Sequence, residues 1–215
     1  MRVPESILRH RTVISVGILV FFYLIGFVGF QTSQRQWFLQ QTPWNLCITG
    51  ALLLLNQQQF TRTQQWLFFW IFLFGWCLEV AGVHTGKIFG SYTYGSSLGW
   101  KILDVPILIG LNWAMVCFAA TAAVTRWFRS FWLKLFLAPA LLLCIDFFME
   151  QVCQKLNFWH WTGGSAPLQN YIAWYVFGML FCLPLIPAMK NHQNRFAPWL
   201  LLIQFLFFAG ITLLV

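Results

Sequence analysis

Seven stretches of this chain, at about 12–30, 38–55, 66–83, 105–125, 131–152, 170–189 and 197–215, are apolar over close to the ~20 residues that a helix needs to cross a bilayer. Only short polar loops separate them. In lipid, a backbone can satisfy its own N–H and C=O groups only as helices or as a closed barrel, and runs this long select helices. The residue balance agrees: 60% are hydrophobic and 8% charged, where soluble domains carry about 25% charged residues. We therefore expect an all-α, polytopic membrane helix bundle of about seven spans, a single integral membrane domain over residues 1–215. The stretch at 38–55 is the weakest, because its apolar core is short and Pro43 interrupts it. Arg2, Arg9 and Arg11 precede the first run as they would in a signal peptide. That run is long enough to span and no small-residue cleavage site follows, so it reads as a retained span.

The net charge of +8 does not mark a nucleic-acid binder, because the basic residues are scattered over short loops. Topology accounts for them better. With the N-terminus cytoplasmic, nine basic residues lie inside (Arg2, Arg9, Arg11, Arg62, Arg126, Arg129, Lys134, Lys190 and Arg195). Four lie outside: Arg35, Lys87, Lys101 and Lys155. The excess favours that orientation in a plasma (inner) membrane, with the C-terminus outside. It also puts both long polar loops, 84–104 and 153–169, on the non-cytoplasmic side. Six cysteines show neither CxxC nor metal spacing and read as free thiols. The 24 Phe and 13 Trp exceed what interfacial belts require. Beside ordinary lipid-facing roles, the surplus suits a cavity walled by π-faces for a conjugated or isoprenoid ligand.

One stretch departs from the oily background. Glu79–Trp113 holds two of the five acids and six of the fifteen glycines, with a dense run of Ser, Thr, Tyr and His. A polar, glycine-rich segment is tolerated at membrane depth only where it lines a cavity or is buried in protein. It either dips into the bundle or lies over it. At 1.5 Å per residue, Glu79 sits roughly 20 Å along the third span and Asp146 roughly 22 Å along the fifth. Asn112 lies about 10 Å below the outer boundary of a ~30 Å core, so all three share one layer. Asp104, Glu150, Asn170 and Tyr171 lie just above it. Intramembrane acids are functional candidates by default.

Glu79 has no Lys or Arg three or four residues away, and a carboxyl without a counter-ion in an apolar medium favours its neutral form, as a general acid requires. The competing reading is a structural hydrogen bond between helices, or an ion pair with Lys87 or Lys101. Asp146 and Glu150, four apart, share one helix face; two close carboxyls can divide into an acid and a base. Otherwise they are outer-end residues with Lys155 as counter-ion. Asp104, before Val105-Pro106, is equally a helix N-cap and a chemical group. His84 and His160 lack metal-ligand spacing, the former reading as structural and the latter as an interface aromatic or a roof over the cavity. The last span has no Lys for a Schiff base, and DDxxD, GxSxG and paired intramembrane His are all missing. Metal-free acid–base chemistry on an apolar substrate remains, with no cofactor implied.

These residues carry a resemblance. Glu79-x-x-Gly82-Val83-x-Thr85-Gly86, Phe89-Gly90-x-Tyr92-x-Tyr94, Leu98-Gly99, Val105-Pro106 and Asn112-Trp113 form one block. Asp146-x-x-x-Glu150, Phe158-Trp159-x-Trp161, Pro167 and Asn170-Tyr171-x-x-Trp174 form a second. Over roughly residues 75–178 the chain resembles the membrane-bound carotenoid 1,2-hydratase family, which includes enzymes of bacterioruberin synthesis. Gln151 departs from it, standing where many members carry proline. The resemblance implies addition of water across the terminal C1–C2 double bond of an acyclic ψ-end, giving a tertiary alcohol. The acid–base reading of the residues suits that reaction, with Glu79 or Asp146 as the expected proton donor and Asp104 or Glu150 as the expected base for water. Thr85, Tyr92, Tyr94, Asn112, Trp113, Trp159, Trp161, Asn170, Tyr171 and Trp174 would bind substrate. The partners implied are a lipophilic carotenoid, membrane lipid and other membrane enzymes of the same pathway. Two rivals stand beside it: an end-group cyclase, and a non-enzymatic carotenoid- or quinone-binding subunit or transporter.

Overall fold

The computed structural model describes residues 5–190 and 194–214; Arg2 and Val215, used in the expectations above, lie outside the described residues. In chain order its helices begin with α1 (Glu5–Gly29), α2 (Arg35–Gln40), α3 (Thr42–Leu55) and α4 (Arg62–Thr85). Three short strands follow: β1 (Tyr92–Tyr94), β2 (Lys101–Ile102) and β3 (Val105–Pro106). Then come α5 (Leu108–Trp127), α6 (Phe131–Val152), β4 (Trp159–Trp161), α7 (Leu168–Ala188) and α8 (Ala197–Leu214). The chain is an all-α polytopic bundle, a multi-pass membrane protein. Among the described residues, six helices are long and apolar enough to cross a membrane: α1, α4, α5, α6, α7 and α8.

The stretch at 38–55 takes a different form from the other six. It breaks at Gln41 into α2 and the 14-residue α3, about 21 Å long and short of a ~30 Å core. Pro43 falls in the first turn of α3, where its missing N–H costs nothing, so it starts a helix instead of continuing one. The expected start of the fourth span at residue 105 also moves. Val105-Pro106 is a strand paired with Lys101-Ile102, and the helix begins at Leu108.

α5 is the axis of the bundle, with α3, α4, α6, α7 and α8 packed around it. It can take that place because Ala114, Ala119, Ala120, Ala122 and Ala123 keep its surface narrow, and without a hydrophobic drive in lipid small residues are what let helices approach. The contact with α4 is the tightest. A Cβ on Gly75 would lie 2.6 Å from Trp113 Cβ, and one on Gly110 would lie 2.5 Å from the Phe72 carbonyl oxygen. This closeness seats the Trp113 ring beside α4.

Local signals then set where α4 stops. Its N-terminus carries a capping box, in which the Thr61 hydroxyl accepts from Gln64 N–H and the Gln64 side chain accepts from Thr61 N–H. Its C-terminus closes on Gly86 at φ +64°, a left-handed conformation that turns the chain back over the bundle. There β1 pairs antiparallel with β4 in the register Tyr92↔Trp161, Thr93↔His160, Tyr94↔Trp159. Both strands bury their outer two residues and expose the middle one. The polar loop therefore neither lies flat nor plunges in: it is half of a ribbon with four rings pointing inward.

The α4–α5 contact yields a prediction. Gly110→Ala places a methyl group against backbone that has no rotamer to move, and overpacking costs about 1–3 kcal/mol. Thermal unfolding in detergent should show that loss, whereas Gly17→Ala, inside α1 with nothing within 4 Å, should not lower the midpoint.

Candidate active site

A carboxyl taken out of water must find donors within the protein, because stranding it costs several kcal/mol. Glu79, Asp146 and Glu150 are 3%, 1% and 8% exposed, so the supply of donors decides what each can do. Glu79, in the last turns of α4, is fully supplied. Its Oε2 accepts from Tyr92 Oη at 2.5 Å and Tyr94 Oη at 2.8 Å, and its Oε1 accepts from Trp113 Nε1 at 2.9 Å. Burial, and then the Glu79 carboxyl beside them, push both phenols well above the ordinary tyrosine range. They stay protonated and keep donating. None of the three partners is the Lys87 or Lys101 that would have made an ion pair; the Lys101 ammonium binds the Tyr94 carbonyl instead.

Glu150, in the last turn of α6, is supplied just as fully from the other strand. Its Oε2 accepts from Trp161 Nε1 at 2.7 Å, Trp159 Nε1 at 3.1 Å and the Cys153 thiol at 3.5 Å. Its Oε1 accepts from Asn170 Nδ2 at 2.9 Å. The two-residue period of a strand brings this about, since Tyr92 and Tyr94 point one way from β1 and Trp159 and Trp161 the same way from β4. Cross-strand ring pairs hold them there, Tyr92 on Trp161 at 4.9 Å between centroids and Tyr94 on Trp159 at 6.1 Å.

Asp146, one turn before Glu150, is supplied differently. Its Oδ2 receives one long bond, 3.4 Å, from the same Asn170 nitrogen that holds Glu150, and its Oδ1 has no hydrogen-bond partner among the described residues. Asp146 lines a cavity of about 90 Å³ walled chiefly by aromatic and aliphatic side chains, among them Ile145, Phe158 and Phe208. A separate void of about 10 Å³, near the room one water molecule needs, lies between Glu79, Glu150, Tyr92, Tyr94 and Asn170. Trp159 and Trp174 border both spaces. Trp174 stacks on Trp113 with centroids 3.9 Å apart and planes 13° from parallel, which ties this wall to the Glu79 cage. Asp146, one oxygen of which is unengaged, therefore lines the larger, mostly apolar space, and two saturated carboxyls flank the smaller polar one.

Most of the residues singled out from the sequence meet here. Glu79, Asp146, Glu150, Tyr92, Tyr94, Trp113, Trp159, Trp161, Asn170 and Trp174 form the two cages and their shared wall, and Asn112 lines the larger cavity. Others do not join them. Asp104 is not an N-cap and not part of the cluster: it occupies the turn of the β2–β3 hairpin at φ +62°, its side chain 82% exposed, 3.7 Å from His84. A two-residue hairpin turn needs left-handed conformations, which aspartate tolerates. Thr85 faces outward and bonds back to the Ala81 carbonyl within the last turn of α4. Tyr171 lies against Phe147 at 6.1 Å and borders neither space. His160 sits on the outer face of the ribbon, on Asn157 Oδ1.

Sequence reasoning missed the residues that the flanking helices bring to the larger cavity: Tyr23, Asn45 and Gln204. The signal was present, since each is a polar group in an apolar run (FFYLIG, PWNLCI, LLIQFLFF).

Residues 43–215 match the family described as "Carotenoid biosynthesis protein". The chain belongs to the carotenoid biosynthesis protein family. The matched segment runs from the first turn of α3 onward and so contains every residue of both cages. Its function lies in carotenoid biosynthesis, with lipophilic pigment and membrane lipid as its surroundings. No curated protein and no solved structure matches the chain.

The cages can be tested by themselves. Trp161→Phe keeps a ring at the cross-strand pair and removes the shortest bond to Glu150. A hydrogen bond to a buried carboxylate is worth about 1.5–3 kcal/mol, and thermal unfolding in detergent should show that loss. Thr93→Ala, on the outer face of the same ribbon, should change stability by no more than about 0.5 kcal/mol.

Proposed function

We propose that this protein hydrates an acyclic carotenoid end group, adding water across the terminal C1–C2 double bond to give a tertiary alcohol. The observation that carries the reading is Asp146, its Oδ1 unpartnered among the described residues, in the wall of a largely aromatic and aliphatic cavity beside two carboxyls saturated with donors. Protonating a trisubstituted alkene requires a neutral acid next to an apolar substrate, and a carboxyl with an unengaged oxygen is the group able to keep its proton there. Glu79 and Glu150 accept from Trp indoles, which are donors only, so their oxygens are committed as acceptors.

In this mechanism Asp146 gives its proton to C2. The C1–C2 π pair forms the new C–H bond and leaves positive charge on the tertiary carbon C1. The indole faces of Trp159 and Trp174 border the cation; a desolvated cation–π contact supplies about 2 kcal/mol. A water held between Glu150 and Glu79 attacks C1 through its oxygen lone pair, and its surplus proton passes to Glu150. Asn170, bonded to both carboxyls of α6, keeps Glu150 and Asp146 adjacent, so the proton gained by one restores the other. Glu79, held by Tyr92, Tyr94 and Trp113, borders the same small void from the α4 side. The assignment selects Asp146 over Glu79 as acid and Glu150 over Asp104 as base. It is a single-domain reading, and with the cytoplasmic N-terminus inferred from the basic residues the site belongs to the outer leaflet.

Expression in a lycopene-producing bacterium, with pigments weighed by mass spectrometry, tests it. Gain of one water per modified end is expected. A product isomeric with lycopene would instead indicate ring closure, and unchanged lycopene a binding protein. Asp146→Asn and Glu150→Gln, each present in the membrane at normal levels, should lower hydrated product at least a hundredfold, within the range acid–base groups contribute. Asp104→Asn should leave it unchanged. Full activity in both buried variants would remove the assignment.

A further inference from the structure

A second cavity, of about 300 Å³, lies beside the Asp146 chamber and shares with it a wall made of Tyr23, Phe30, Thr42, Asn45 and Phe207. On its far side it reaches the surface at Phe22, Trp37 and Trp44, which are 36%, 55% and 68% exposed. These exposed rings lie on α1, α2 and α3, around the stretch where the expected second span is broken. α1 packs mainly on α8 and touches α2 and α3 only sparingly, so little packing closes this flank. The wall between the two spaces consists largely of side chains, and Phe207 is its hub. Tyr23, Phe27 and Phe30 meet its ring edge-on at 4.9, 6.5 and 6.1 Å.

We infer that the seam between α1 and α2–α3 is a lateral portal through which a carotenoid end passes from the bilayer to Asp146, with Phe207 as its gate. The inference rests on the carotenoid reading above and adds how that substrate is held. An extended acyclic carotenoid is about as long as the ~30 Å hydrocarbon core is thick. A cavity of about 90 Å³ takes only its terminus, and the remainder stays in lipid with the chain lying across the seam. The two ends of one pigment are thus handled in separate encounters. The edge-on Phe207 contacts are individually weak, so its ring can turn aside as the chain enters.

The test has two arms in lycopene-producing cells. In the first, a photo-activatable benzophenone amino acid replaces either Trp44, at the mouth, or Phe74, 55% exposed on α4 and lining neither space. Irradiation should attach lycopene at position 44 at least tenfold more than at 74. Equal capture at both positions, or capture at neither, overturns the portal. In the second arm, Gly26→Phe fills the mouth, where an added Cβ already lies 3.8 Å from the Phe207 ring, and should lower pigment conversion at least tenfold. Gly17→Phe, on the same helix with nothing within 4 Å, should not lower it. Normal conversion in Gly26→Phe overturns the portal while leaving hydration standing. Capture at position 44 without any hydrated product would retain the portal and remove the hydratase reading.

Discussion

Three carboxyls buried in a bilayer-spanning bundle are the constraint that the rest of this structure serves. Each would cost several kcal/mol if left without donors, more than any single helix contact in lipid returns. A membrane bundle holds few spare donors, because the backbone N–H groups of its helices are already spent within each helix. Tyrosine and tryptophan resolve the difficulty, being apolar over most of their surface with one polar atom at the tip. Five such tips converge on Glu79 and Glu150.

Delivering those tips needs a strand pair and not a helix. A helix would scatter Tyr92 and Tyr94 around its axis, whereas alternate residues of a strand share one face. The same argument holds for Trp159 and Trp161, and pairing the two strands aligns four rings in one layer above the carboxyls. The αL turn at Gly86 and the close α4–α5 contact at Gly75 and Gly110 are the backbone conditions for this, because they return the chain over the bundle and bring Trp113 against α4. Asn170 completes the arrangement from α7 by tying Asp146 to Glu150. Glu79 and Glu150 thus stand on α4 and α6 yet depend on the loops between helices for their state.

The sequence carried the helices and the acids but not the ribbon. Apolar length alone located α1 and α4 to α8, because in lipid length is the dominant requirement. The i, i+4 spacing put Asp146 and Glu150 on one face, and counting rise per residue put Glu79 and Asp146 at one depth. Strands of three residues give no periodicity to detect, and the partner of Tyr92 is Trp161, sixty-nine positions away, so the pairing is a tertiary fact. Asp104 misled for a related reason. Aspartate before Val-Pro suits a helix N-cap, and Leu103-Asp104 lacks the Asn-Gly or Asp-Gly that announces a hairpin turn. Tyr23, Asn45 and Gln204 were visible as polar groups in oily runs, but nothing in the chain said that three different helices turn them toward one space.

Whether a protonated alkene takes up water or closes a ring depends on what lies within reach of the cation. A chamber wholly lined by hydrocarbon and rings leaves a neighbouring double bond as the only nucleophile. Here the apolar chamber and the polar void are separate spaces with Trp159 and Trp174 bordering both, so the substrate end and a water need not share one solvated pocket. In the proposed reaction that separation reconciles two opposed demands. Asp146 must keep its proton beside hydrocarbon, which excludes bulk water, and one water must still stand ready. Holding that water between two carboxyls orients its lone pair and strengthens it as a nucleophile, an advantage of position that dilute water in a greasy cleft would lack. The ribbon therefore has a second consequence beyond supplying donors: its Trp159, with Trp174 of α7, stands between the chamber of the proposed acid and the void of the proposed water.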